Sequence, residues 1–146
     1  MLRSLLIVVL VLLPVGSLSA ADGITARPSA YSVTATIDRL EAALRSRSIT
    51  VFAKIDHAAE AAKVGLTMPP TQLLVFGNPR AGTPLMLAAP MIAIDLPLKF
   101  LISQDSAGKV SVSYNTADFL QKRYGLSEEQ AKVLNVVEGL VAAAMK

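Results

Sequence analysis

The sequence predicts an α+β domain, a mostly antiparallel sheet covered by helices in the order β-α-β(4)-α. Three observations carry this. Apolar residues recur at helical spacing at Val33, Ile37, Leu40 and Leu44, and again at Val133, Val136, Val137, Leu140, Val141 and Ala144. Between these segments lie four short runs with strand-like composition. Two of the runs are joined by the tight turn Asp105-Ser106-Ala107-Gly108, which is short enough only for antiparallel neighbours. The chain has 146 residues, 53% of them hydrophobic and 17% charged, which suits one ordinary domain and is too apolar for a disordered one.

Each element has a local cause. Gly23 to Ala26 reads as a short first strand, ended by Arg27-Pro28. Ser32 can take an unpaired first-turn amide on its hydroxyl, so it caps a half-buried helix running to about Arg47. Ile49 to Ile55 is β-branched and aromatic, hence a strand. Asp56 caps a short Ala-rich helix that Gly65 closes in the left-handed conformation. Pro69-Pro70 forbids helix, and Gln72 to Phe76 reads as a buried strand ending in a tight turn at Gly77-Asn78-Pro79.

Thr83-Pro84 reads as an N-cap followed by a proline at the first helical position, with the helix continuing until Pro90. Leu98 to Gln104 and Lys109 to Tyr114 form the hairpin. In its second strand Val110, Val112 and Tyr114 alternate with Ser111 and Ser113, so one face is buried and the other wet. Asn115 or Thr116 caps a helix that Gly125 stops, and Ser127 with Gln130 fits a capping box for the last helix.

The N-terminus reads as an address. Arg3 is followed by the apolar run Leu5 to Val15 and then by Gly16, Ser17, Leu18, Ser19, Ala20 and Ala21, the layout of a secretory signal peptide cut after Ala21. The run is too short for a membrane span and is broken at Pro14. Residues 1–21 are therefore expected to be removed. The remainder, residues 22–146, is expected to be a single periplasmic or secreted domain with no membrane attachment. Losing Arg3 lowers the net charge from +3 to +2, too weak a balance, with no long Lys/Arg run, to indicate nucleic acid.

With the motifs placed, the segment from Ser32 to Leu126 resembles the domain of unknown function family numbered 302. The resemblance rests on Tyr31-Ser32-Val33 with Thr36, Leu40 and Ala43, then on VFAKIDHAAEAAKVGL (51–66) and LLVFGNPRAGTPLM (73–86). DLPLK (95–99) and GKVSVSYN (108–115) complete it. It implies a fold similar to TATA-binding-protein-like domains, commonly paired as homodimers, and implies no activity. Two positions depart from the family pattern. Ser48 stands where a glycine usually follows the first helix, so a left-handed residue there would carry a strain of about 1 kcal/mol. Ser111 and Ser113 occupy a strand that often holds an aromatic residue.

The chemistry available is narrow. No cysteine excludes disulfides, thiolate metal sites and cysteine nucleophiles. One histidine excludes a multi-histidine metal centre. Met68, Met86 and Met91 could join His57 around haem or Cu(I), but nothing in sequence brings them together and there is no CxxCH, so no metal or cofactor is expected. Phosphate loops and the GxSxG elbow are absent.

Three candidate binding residues remain. His57 opens the helix capped by Asp56, where a neutral imidazole is available to bind a ligand or accept a proton. Asn78 and Arg80 flank a turn whose amides could hold an anion. Packing of His57 in a first helical turn, and a simple strand-to-helix corner at Asn78, explain the same residues without a ligand. The expectation is a non-catalytic ligand-binding or interaction module with an unknown small ligand at a corner shared by His57 and Asn78. The alternative is a cofactor-independent enzyme using His57 as general base.

Overall fold

A computed structural model describes residues 23–146, so the expected signal peptide lies outside the described residues. The order of elements is β1 (Ile24–Ser29), α1 (Val33–Ser46), β2 (Thr50–Asp56), α2 (His57–Lys63), β3 (Thr71–Gly77) and α3 (Pro79–Ala88). A 3₁₀ turn (Pro90–Ile94) leads to β4 (Leu98–Gln104) and β5 (Val110–Asn115). Then come α4 (Ala117–Tyr124), α5 (Glu128–Ala131), a second 3₁₀ turn (Lys132–Asn135) and α6 (Val136–Ala144). The five strands form one antiparallel sheet in the order β1-β5-β4-β3-β2. This is the expected α+β, β-α-β(4)-α architecture.

One face of the sheet makes the core. Leu74 and Phe76 of β3, Phe100 and Ile102 of β4, and Val112 and Tyr114 of β5 all point to it. Ile37, Leu40 and Leu44 of α1 and Val137, Leu140 and Val141 of α6 cover it. Phe76 stacks on Phe100 with centroids 4.4 Å apart, and Tyr114 meets Phe100 edge-on at 5.6 Å. The buried hydroxyl of Thr36 pairs with Ser29 Oγ at 2.8 Å, which ties α1 to β1 without leaving an orphaned polar group.

Most caps sit where the side-chain chemistry puts them. Ser32, Asp56, Thr116 and Ser127 accept from the amides of Ala35, Ala59, Phe119 and Gln130, and Gln130 completes the capping box. Ser48 does adopt a left-handed conformation, at φ +52°, just beyond the Arg47 cap of α1. The chain accepts there the strain that a glycine would avoid.

Three local expectations are corrected. β1 continues through Pro28 to Ser29, because β1 is an edge strand and the missing proline N–H is tolerated at an edge. α3 starts at Pro79, not at Pro84. Asn78 is extended at φ −127° and its Oδ1 accepts from Arg80 N at 2.9 Å, so an earlier cap-and-proline pair begins the helix and Pro84 falls inside it. Gly77-Asn78-Pro79 is therefore a strand-to-helix junction with no positive φ.

The third correction concerns the last helix, which is interrupted by the 3₁₀ turn over Lys132–Asn135. Three residues per turn, in place of 3.6, rotate the side chains out of helical phase. Val133 thus leaves the stripe and is 42% exposed, while Val137, Leu140, Val141 and Ala144 stay buried.

Candidate functional site

The candidate site grows from a defect in strand pairing. In the β2–β3 ladder Val51 faces Phe76 and Ala53 faces Val75, so Phe52 is the extra residue of a β-bulge. A bulge re-aims the side chain it carries. Here the Phe52 ring, half exposed, leans over Gly77, its Cε2 lying 3.4 Å from where a glycine Cβ would stand. Beyond Gly77 the chain turns at Asn78 into α3, and the space among the bulge, α3 and the 3₁₀ turn of residues 132–135 is left unfilled.

The result is a cavity of about 390 Å³, within the usual range for small-molecule sites. Its floor is Phe76, Leu98 and Leu134, all part of the core. Phe52, Leu85, Met86, Leu96, Val133 and Val136 form apolar walls, and Gly77 and Gly82 widen it by having no side chain. The polar groups of the lining are Asn78 and Thr83 from the α3 side and the guanidinium of Arg47 from the end of α1. Arg47 is fixed by donating from Nη2 to the carbonyl of Gly139 at 3.0 Å. Gly139 leaves room for this contact, since a Cβ there would stand 3.0 Å from Arg47 Nη1 and the guanidinium would have to shift.

Among the described residues the lining holds no carboxylate, histidine, lysine or tyrosine. The groups whose protonation the fold displaces lie elsewhere. Burial, and next a hydrogen bond to Glu138, push the Tyr114 phenol up, and the hydrogen bond to Asp95 pushes Tyr124 up. The cavity can therefore bind an apolar body with one polar or anionic end. It has no pair of groups that could act as nucleophile and base.

The sequence-predicted residues separate. Asn78 lines the cavity, with its side-chain oxygen already engaged in capping α3. Arg80 contributes its main-chain N–H to that cap, while its side chain is exposed and outside the lining. His57 sits at the far end of the β2–β3 pair. Thr50 is opposite Gly77 and Asp56 opposite Gln72, so His57 and Asn78 are roughly 20 Å apart along the strands. The expected corner shared by His57 and Asn78 does not exist. Asp56 accepts from Ala59 N at 2.9 Å and Gln72 Nε2 at 3.0 Å, one bond on each carboxylate oxygen.

The sequence reading missed Arg47, Phe52, Gly82 and the 133–136 segment. Of these only Phe52 had a local signal, as an aromatic at the middle of a strand otherwise open to solvent. The others meet because the sheet and α3 bring distant segments together.

A family model described as "Domain of unknown function DUF302" matches residues 25–144. The chain belongs to the DUF302 family. The fold agrees. The crystal structure of an uncharacterized conserved protein DUF302 from Bacillus stearothermophilus superposes with a TM-score of 0.71 at 18% identity, covering 86% of this chain and 97% of that one. Among curated proteins, the chain is 40% identical over 112 residues to the fluoride-specific ion channel FluC 1 of Brucella suis biovar 1 (strain 1330). It is equally similar to FluC 1 of Brucella abortus biovar 1 (strain 9-941). These matches cover 75% of this chain but 44% and 42% of the relatives, so the chain spans less than half the length of the curated relatives it matches.

Proposed function

We propose that this DUF302 domain is a non-catalytic binding module that takes a small, mostly apolar molecule into the cavity between the β2 bulge and α3. The observation that supports it is the lining: apolar walls of about the right volume with a single charge, Arg47, anchored at the rim. Such a site suits an amphipathic ligand whose anionic or carbonyl end meets Arg47. In the same reading the domain works outside the cytoplasm, supported by the charge, apolar run and small residues of positions 3–21. The channel activity in the names of the Brucella proteins is not part of the reading. More than half of their length lies outside the match, and among the described residues no helix is long and apolar enough to cross a membrane.

The test uses Gly82. A Cβ at this position meets only Leu96 Cδ1, at 3.8 Å, so a larger side chain has the cavity to enter. Gly82→Leu is expected to fold and to lose saturable binding of the apolar anionic probe anilinonaphthalene sulfonate, and Arg47→Met to weaken it. Equal binding by the wild type and a folded Gly82→Leu would reject the cavity as the site. Native mass spectrometry of protein isolated from its own envelope fraction is expected to show a retained small molecule on a chain beginning at Asp22.

A further inference from the structure

A second opening lies inside the sheet itself. The ladder between β4 and β5 runs from Gln104–Val110 to Leu101–Ser113 and stops there. Leu98 and Lys99, at the start of β4, pair with Phe76 and Val75 of β3 and have no partner in β5. Continued register would set Lys99 opposite Asn115. Instead a cleft of about 180 Å³ separates them, with Asp95, Lys99, Ser113 and Asn115 supplying polar groups and Leu73 and Leu101 an apolar wall.

The polar groups are arranged around one incompletely used cation. Lys99 Nζ donates to the main-chain carbonyls of Asp95 at 3.1 Å and Pro97 at 2.9 Å. An ammonium has three donors, so one is left over. The Asp95 carboxylate is committed to other partners. It accepts from the Tyr124 hydroxyl, lies 3.7 Å from Arg123 Nε, and takes only a long 3.5 Å contact from Asn115 Nδ2. Lys99, Arg123 and Asp95 together leave one net positive charge. Burial pulls the Lys99 ammonium below its ordinary range, and the nearby Asp95 carboxylate offsets only part of that.

We propose that this cleft binds a small monocarboxylate, with its carboxylate on Lys99 Nζ and Asn115 Nδ2 and its short apolar remainder against Leu73 and Leu101. A monoanion balances the single positive charge, and a carboxylate can accept from both donors at once. The volume has room for roughly six small heavy atoms at the density of water, enough for an acid of two to three carbons. The site shares only Leu98 with the lining of the Arg47 cavity and does not depend on the reading given for that cavity.

The experiment is a titration of the folded mature domain with propionate, and with propionamide as the uncharged isostere, followed by amide and side-chain NMR. Propionate is expected to give saturable shifts centred on Lys99, Ser113 and Asn115, and propionamide none at the same concentrations. Lys99→Met is expected to weaken propionate at least tenfold. The isosteric Asn115→Asp, which sets a negative charge at the same point, is expected to abolish it. Gly82→Leu is expected to leave propionate binding unchanged, which separates this site from the larger cavity. Non-saturating shifts spread over surface lysines, equal responses to propionate and propionamide, or full binding by Asn115→Asp would each overturn the proposal. Should Lys99→Met fail to fold, the propionamide comparison and Asn115→Asp still decide it.

Discussion

The middle of the sheet and its α3 end use the same strands in opposite ways. Under α1 and α6, Leu40, Leu44, Leu74, Phe100, Ile102 and Leu140 are fully buried and interlocked. At the α3 end, Phe76 and Leu98 belong to the same core and also form the floor of an open cavity. The apolar residues nearby, Leu87, Met91 and Ile94, are exposed by 80%, 65% and 63%. Close packing in one half supplies the stability that lets the other half stay incompletely filled. Unfilled space is found where packing stops.

That contrast can be broken or sharpened by substitution. The largest effect is expected from Phe100→Ala in the closed half. It removes a fully buried ring that contacts both Phe76 and Tyr114, at a cost of about 3–5 kcal/mol in denaturant unfolding. A cost near 1 kcal/mol would mean that the two halves are packed alike. Ser48→Gly, at the left-handed residue beyond α1, is expected to gain about 1 kcal/mol, because the Cβ strain at φ +52° disappears. Thermal unfolding of the pair of proteins measures it.

In the open half, Gly82→Ala is expected to stabilise by about 0.5–1 kcal/mol through helix propensity, since its Cβ meets nothing closer than 3.8 Å. A loss of stability there would mean that the cavity wall is tighter than its geometry. An effect that grows only at alkaline pH belongs to Tyr114, whose hydroxyl donates to Glu138 Oε2 at 2.8 Å. Its phenol is raised above the ordinary value of 10.0 by burial and by the hydrogen bond to Glu138. The native state therefore keeps a proton that the unfolded chain has released, and stability falls as pH rises from 10 through the native value. Tyr114→Phe is expected to flatten that alkaline fall and to cost about 1 kcal/mol at neutral pH. Stability curves of both proteins across alkaline pH read the difference.

Much of the fold was legible because its causes are local. The Ser32, Asp56 and Ser127 caps, the Gly125 stop and the alternation of Val110, Val112 and Tyr114 follow from side chains acting on the nearest turn or strand. One error came from competing local signals and another from the lack of any. Asn78-Pro79 and Thr83-Pro84 both spell a helix start, and the one adjoining β3 prevails. The apolar stripe of the last helix gives no warning of a 3₁₀ turn at Lys132–Asn135.

The candidate site was far less legible. His57 and Asn78 are conspicuous as residue types, yet an antiparallel pair of strands puts them at opposite ends. Arg47, Gly82 and Val133 are unremarkable in sequence and converge on one cavity.

The sequence by itself determined that cysteine chemistry is closed to this protein, the kind and order of most of its elements, and which face of β5 is buried. All three follow from residue types and from periodicity over a few positions. Only the tertiary structure decided the strand order, the bulge at Phe52, the parting of β4 from β5 and the meeting of Arg47 with α3. Those depend on which distant segments pair and where the pairing stops. That choice is set by the packing of the whole molecule, which no short window of residues contains.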